Sequence, residues 1–220
     1  MKTQPPRLVI PLLDYQRIFR VINSVVTSLG NDSNENCLFF SVAGAAILQR
    51  FYGKEARVLV GSAYYLLDDA TSGVLALTKF EDGQLDKGIT ESGPDGFHAW
   101  LECEGKVIDF QAPVFPEALH RTGIQARIPR KMFQKARDRM STGPGEHYSV
   151  GDFYLAPNLA LTNLLVPRIL QHELSLSMIK VCMSWYVPPP KPLPRNFAVQ
   201  GDTGNVVHLE LSDIGLVGAW

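Results

Sequence analysis

The sequence has few cysteines and no long apolar run. Its three cysteines, Cys37, Cys103 and Cys182, are an odd number at wide spacing among 220 residues. That pattern fits neither a disulfide framework nor a zinc site built from paired cysteines. The longest apolar segment, residues 159–170, contains Pro167 and several polar residues. It falls short of the roughly 18 uninterrupted apolar residues that a membrane span needs, so we expect no membrane partner.

The chain also lacks a charge excess and an export signal. Twenty-one basic residues against 22 acidic ones leave a formal charge of -1, which gives no overall field that would attract nucleic acid. The first apolar run, in "MKTQPPRLVIPLLDYQ", is brief and broken by Pro11, unlike a signal peptide. "STGPGEH" lacks the lysine that a nucleotide-binding loop requires, and no other segment predicts a cofactor. We therefore expect a cytoplasmic protein without nucleic-acid partners, cofactor or metal.

The composition and pattern of the N-terminal half favour a folded α+β protein. With 45% apolar and 20% charged residues, the chain is ordinary globular material, and residues 1–220 suit one domain. Apolar residues recur at helical spacing over residues 14–29, with Asp14 placed to cap that helix. Residues 37–52 are apolar or small nearly all round, which indicates a helix buried against a sheet. Strands are predicted over residues 56–67 and 73–80, an α+β order with antiparallel pairing.

We expect a catalytic core over about residues 14–116, with a helical and hairpin extension over about 117–220. The basic stretch 127–140 predicts a helix. The seven Arg and Lys residues between positions 121 and 139 should form one solvated face of a helix or, alternatively, bind the carboxylate or phosphate of a substrate. A further apolar helix between Pro157 and Met183 should bend or restart at Pro167, because proline removes a helical hydrogen bond. The final segment, 197–211, predicts one more hairpin.

The segment "GFHAWLECEGKVIDFQAP", residues 96–113, predicts a short hairpin with an unusual set of polar side chains. A two-residue turn at Glu104 and Gly105 places His98 on the same face as Asp109, as a diagonal cross-strand neighbour. The same face also carries Trp100, Glu102, Val107 and Gln111. The opposite face, which we expect to face the core, carries Ala99, Leu101, Cys103, Ile108 and Phe110. The Asp109 carboxylate can therefore bind and orient the His98 ring.

Cys37 stands at the predicted start of the buried helix. A thiol reacts as its thiolate, and the unpaired N–H groups and positive dipole end of a helix start stabilise that anion. The Cys37 backbone N–H could also bind an oxyanion, and a second donor could come from Asn31, Asn34 or Asn36. Trp100 and Glu102 are further candidates for lining the cleft, although packing and solvent exposure are the simpler roles.

A cysteine that opens a buried helix, followed by strands, "HAWLE" and an aspartate after a short hairpin, resembles the transglutaminase-like group of the papain-like cysteine fold. The resemblance covers about residues 31–113 and includes the arylamine N-acetyltransferases and bacterial cysteine peptidases and amidases. It implies Cys37 as nucleophile, His98 as base and Asp109 as orienting carboxylate. The gap between His98 and Asp109 is short for the group, and Asn36 and Leu38 flank the cysteine instead of tryptophan or glycine.

The resemblance implies an acyl-transfer enzyme that acts on a small-molecule or peptide amide or thioester and releases the acyl group to water or an amine. The glycine-containing loop 81–96 is placed to cover the cleft. Two alternatives stay open: a catalytically inactive binding protein of the same fold, and a zinc site made from Cys37, His98 and Asp109. The sequence leaves the oligomeric state undetermined.

Overall fold

The computed structural model of the chain describes residues 8–68, 73–79, 91–125, 127–146, 149–201 and 204–220. Its α-helices are α1 (Leu12–Ser28), α2 (Cys37–Tyr52), α3 (Phe115–Arg121), α4 (Leu159–Gln171) and α5 (Glu173–Trp185). Its strands are β1 (Arg57–Asp68), β2 (Gly73–Leu77), β3 (His98–Cys103), β4 (Lys106–Asp109), β5 (Phe133–Ala136), β6 (Phe153–Pro157), β7 (Asn196–Gln200) and β8 (Val206–Glu210).

The first six strands form one antiparallel sheet in the order β2-β1-β3-β4-β5, with β6 also paired to β1. The long strand β1 pairs with three partners because its 12 residues exceed the length of each of them. The sheet curls, helices pack against it, and β7 and β8 form a separate hairpin. The protein is therefore α+β, as the order of elements predicted.

Both faces of the sheet are buried. One face packs against α1, α2 and α5, and it includes Leu101, Cys103, Ile108 and Phe110 from the β3–β4 hairpin. On the other face, Trp100 and Val107 belong to a second core with Phe115 and Leu119 of α3.

The predicted hairpin turn is confirmed, and the sides of the hairpin alternate as expected. Leu101 faces Ile108 and Cys103 faces Lys106, with Glu104 and Gly105 in the left-handed region at φ 48° and 70°, as a two-residue hairpin turn requires. The expectation of a single core face is wrong, because the sheet curls around a second apolar cluster that covers the His98 side.

Helix α2 is buried as predicted, and it approaches the sheet closely at Gly44. A Cβ placed on Gly44 would lie 2.3 Å from Cδ2 of Phe110, so only glycine allows this contact. The predicted cap on α1 is wrong: the helix begins at Leu12 after extended Pro11, and buried Asp14 instead accepts a hydrogen bond from Tyr52 Oη.

The C-terminal half contributes to the same cores. Trp185 and Cys182 of α5 and Leu209 of β8 lie in the first core, whereas Phe133 of β5 and Phe153 of β6 lie in the second. The predicted terminal hairpin is confirmed by β7 and β8.

Two expectations about helices in this half are wrong. Residues 133–136 form β5, paired with β4, because burying Phe133 and Gln134 at the sheet edge outweighs helix propensity. The basic residues therefore do not share one helix face.

Helix α4 continues through Pro167, which lies on its exposed side. The break between α4 and α5 falls at His172, whose ring accepts a hydrogen bond from the Ser175 N–H and so caps α5. Within the described residues, no helix has both the length and the apolar character needed to cross a membrane.

Candidate functional site

Cys37 is the first residue of α2, and its side chain lies just below the surface. The residue is 6% exposed and packs among Val60, Ala99 and Leu161. Its Sγ–H donates to the Phe97 carbonyl oxygen at 3.9 Å, a long contact that holds the thiol weakly. The helix start leaves backbone N–H groups beside this sulfur, because the first four N–H groups of a helix have no partner within it.

His98 and Asp109 form a fully buried pair. Each is 1% exposed, and His98 Nε2 lies 2.5 Å from Asp109 Oδ2. Because an ionised carboxylate only accepts hydrogen bonds, Nε2–H donates, and Nδ1 is left to face other partners. The Cys37 side chain is near enough to the same ring to help raise its pKa, so sulfur, ring and carboxylate are neighbours in that order.

The Asp109 carboxylate has a complete set of donors. Oδ2 accepts a second bond from Tyr65 Oη at 2.8 Å, and Oδ1 accepts one from the Gln111 backbone N–H at 2.9 Å. Tyr15 Oη donates to the Asp109 backbone carbonyl. These bonds compensate the loss of water around a buried anion and fix the direction of its oxygens.

The surroundings of His98 favour its charged form. Burial lowers the pKa of the ring, but the charge and hydrogen bond of Asp109 and the neighbouring Cys37 side chain outweigh it and raise the pKa to about 10. Rings of Tyr65 and Phe115 stand edge-on to the imidazole at 5.9 and 6.0 Å, which limits its rotation. At neutral pH the site therefore favours an imidazolium between a carboxylate and a sulfur.

The structure thus brings together Cys37, His98 and Asp109, the three residues that the sequence marked. It does not bring Trp100 or Glu102 to them. Trp100 is fully buried in the second core, and Glu102 lies near the turn end of β3, where its Oε1 pairs with Arg137 Nε at 3.2 Å.

The amides that were candidates for the oxyanion site lie in or beside the turn before α2. Asn31 is exposed, next to a surface depression that Thr27 and His120 also line. Asn36 is half-buried at the helix start, and its Nδ2 donates to the Asp32 carbonyl at 2.5 Å. The Asn34 side chain lies outside the described part of the structure, as does most of loop 81–96, the predicted cover of the cleft.

Sequence reasoning missed the residues that support the site from behind. Tyr65 comes from β1 and Tyr15 from α1, and their contacts with Asp109 depend on long-range packing. The sequence predicted for Gln111 only a place on the same hairpin face as His98. Its Nε2 donates to the Ser33 carbonyl, which links the carboxylate to the turn that leads into α2. Ser33 Oγ is in turn bonded to Asn23 Oδ1 at 2.7 Å.

The zinc alternative gains no ligand set from the structure. Within the described residues, no group of three or more His, Cys, Asp or Glu side chains is arranged to hold a metal ion. Cys103, which the hairpin alternation placed on the core face, and Cys182 are buried thiols in the first core, away from Cys37.

Comparison with other proteins gives two similarities. The sequence model of a family described as "Protein of unknown function (DUF2026)" matches residues 11–220. The fold is similar to that in "The crystal structure of genomics APC5867", with a TM-score of 0.84 and 28% sequence identity over 99% of this chain and 100% of that one. No curated protein matches the chain.

Proposed function

The chain belongs to the DUF2026 family of proteins of unknown function, and on that premise we propose that it is a cysteine-dependent acyl-transfer enzyme with a papain-like, transglutaminase-like core. Its substrate is a small-molecule or peptide amide or thioester. The proposal rests on one observation: a buried histidine that neighbours a thiol at a helix start is paired with a carboxylate that has three donors.

A purely structural role gives no reason for this arrangement. Taking a carboxylate and an imidazole fully out of water is costly, and apolar residues of similar volume usually stabilise a core at least as well. The pair lies beside a thiol that opens α2, where a thiolate gains from the helix start. The chain order Cys37, His98, Asp109 matches the group that the sequence resembles.

The proposed reaction proceeds through an acyl-enzyme. His98 holds the proton of the Cys37 thiol as the imidazolium, and Sγ attacks the carbonyl carbon of the substrate. The new C–S bond forms, and as the tetrahedral intermediate collapses the bond from carbon to the leaving nitrogen or sulfur breaks. His98 then gives its proton to that leaving group. Asp109 holds the ring throughout, and the Cys37 backbone N–H is placed to stabilise the oxyanion.

The second half returns the enzyme to its starting state. Water or an amine attacks the thioester carbon while His98 accepts its proton, the C–S bond breaks, and Sγ is released beside the imidazolium. The product is a carboxylic acid when water is the acceptor and an amide when an amine is the acceptor. No cofactor enters this scheme.

The experiment is the pH dependence of iodoacetamide labelling, located by mass spectrometry, between pH 5 and pH 8. We expect fast labelling confined to Cys37 at pH 6, and a decrease on the order of 10- to 100-fold in the His98→Ala variant. The His208→Ala variant, which alters an exposed histidine on β8, should label like the wild type. The Cys37→Ser variant should not label at this site.

A second measurement tests acyl transfer itself. Mixing the protein with p-nitrophenyl acetate should give a burst of p-nitrophenol and a mass increase of one acetyl group on Cys37, both lost in Cys37→Ser. Labelling that rises only near the ordinary thiol pKa of about 8.5, without acetylation, would favour the catalytically inactive binding protein.

A further inference from the structure

Asp109 has a second ring partner besides His98, and it comes from a different part of the sheet. Tyr65 lies in the middle of β1, fully buried, and its Oη–H donates to Oδ2 of Asp109 at 2.8 Å. This is the same oxygen that accepts His98 Nε2–H. The tyrosine ring also stands edge-on to the imidazole, with centroids 5.9 Å apart and planes at 85°.

From this geometry we infer that Tyr65 is a positioning residue of the proposed Cys37–His98–Asp109 site, which holds Oδ2 of Asp109 in its ionised form and in line with the ring. The inference rests on the proposed function. Tyr65 acts through Asp109, since its hydroxyl is bonded to the carboxylate and not to the sulfur.

The hydroxyl is suited to this role because it stays a donor. Burial, and after it the negative charge of Asp109, raises the pKa of Tyr65 well above its ordinary value of 10. A lysine in the same place would bring a second positive charge beside the imidazolium and compete with it for the carboxylate. The neutral hydroxyl supplies a hydrogen bond without that competition.

Among the residues that the structure describes, the titratable groups that face the pair are Cys37 from α2, Tyr65 from β1 and Tyr15 from α1, whose hydroxyl bonds the Asp109 backbone carbonyl. Tyr15 therefore fixes the main chain of Asp109, whereas Tyr65 fixes its side chain. A change confined to the Tyr65 hydroxyl should alter the charge state of the pair without moving the strand.

The test is the pH profile of Cys37 labelling in the Tyr65→Phe variant. Loss of the donor removes one of the three hydrogen bonds that stabilise the buried carboxylate and fix it against the His98 ring, so the acid limb of the profile should move to higher pH, and labelling at pH 6 should fall on the order of tenfold. Tyr64→Phe is the matched control: Tyr64 is the neighbouring buried tyrosine of β1, alongside Tyr154, and its variant should keep the wild-type profile.

Replacing Tyr65 by 3-fluorotyrosine gives a measurement that does not remove the hydroxyl. The more acidic phenol is a stronger donor, so the acid limb should move to lower pH, opposite to the Tyr65→Phe shift. The fluorotyrosine measurement tests the role of Tyr65 even if the Tyr65→Phe variant does not fold. A purely structural role predicts the same limb for both substitutions.

The two proposals fail in different ways. A wild-type profile like that of an ordinary thiol, unaffected by His98→Ala, would overturn the proposed function. A wild-type profile with labelling at pH 6 that His98→Ala abolishes, but with the limb unmoved by Tyr65→Phe and by the fluorinated residue, would overturn the inference about Tyr65 alone.

Discussion

Replacing Asp109 by asparagine removes one negative charge from the buried site and nearly preserves its shape. In the wild type, the carboxylate accepts from His98 Nε2 at 2.5 Å, from Tyr65 Oη and from the Gln111 N–H. The amide in the variant has one acceptor oxygen for these three donors. Its NH₂ group faces donors with further donors, so at least one of the three hydrogen bonds is lost, and the bond to His98 loses its charged acceptor.

The size of the effect follows from the bond to the ring. A hydrogen bond to a charged group contributes about 1.5–3 kcal/mol, and 1.36 kcal/mol corresponds to one pKa unit. Asp109→Asn should therefore lower the proton affinity of the His98 ring by roughly 10- to 100-fold, and with it the equilibrium that transfers the Cys37 proton to the ring. Labelling of Cys37 by iodoacetamide at pH 6 should fall by a similar factor.

The raised pKa of His98 also makes the stability of the wild-type protein depend on pH in a defined direction. The pKa of His98 is raised in the folded protein to about 10, from an ordinary 6.5. The stabilisation from its proton is thus fully present below about pH 6.5 and is lost as the pH rises through 10. The difference in unfolding free energy between wild type and Asp109→Asn should be largest at pH 6 and shrink steadily towards pH 10.

Urea unfolding of both proteins at pH 6, 8 and 10 measures this difference. A gap of about 1.5–3 kcal/mol at pH 6 that narrows towards pH 10 is the expected result. A gap that stays constant from pH 6 to pH 10 would refute the assignment of an imidazolium–carboxylate pair. Unchanged labelling at pH 6 would refute the coupling between carboxylate and thiol.

Further predictions concern the support of the site. Gly44→Ala should destabilise the fold by about 1–3 kcal/mol in urea unfolding, because the new Cβ would overlap the ring of Phe110, whereas Gly145→Ala, with open space around it, should be near neutral. Gln111→Ala removes the bond from Nε2 to the Ser33 carbonyl but keeps its backbone bond to the carboxylate; it should loosen the turn before α2, seen as faster hydrogen exchange there, with a smaller loss of labelling than Asp109→Asn.

The sequence predicted the elements whose signals are local. The β3–β4 hairpin follows from Glu104 and Gly105, which can take the two left-handed positions of its turn. Helix α2 follows from an apolar surface nearly all round, which suits only a buried helix. The approach of His98 to Asp109 follows from the alternation of side chains once the turn is known.

The elements that sequence reasoning misjudged depend on contacts between distant residues. Strand β5 lies in a basic, helix-like stretch, but Gln134 bonds the backbones of Val9 and Ile10 with its amide, and Phe133 enters the second core. Neither contact has a local signature. The bond from Tyr65 to Asp109 spans 44 residues, so no spacing rule could have linked them.

The position of His98 at the very start of β3 explains how the thiol and the carboxylate reach the same ring. Cys37 packs with Ala99, whose side chain points to the α2 side, whereas His98 contacts Tyr65 and Phe115 on the opposite side. In the middle of a strand, a ring on that side would be separated from α2 by the sheet itself. His98 is the first residue of β3, so this strand ends at the ring and the ring can have Cys37 as a neighbour there. The second core is therefore what makes the site buried, while the end of β3 is what makes it reachable from α2.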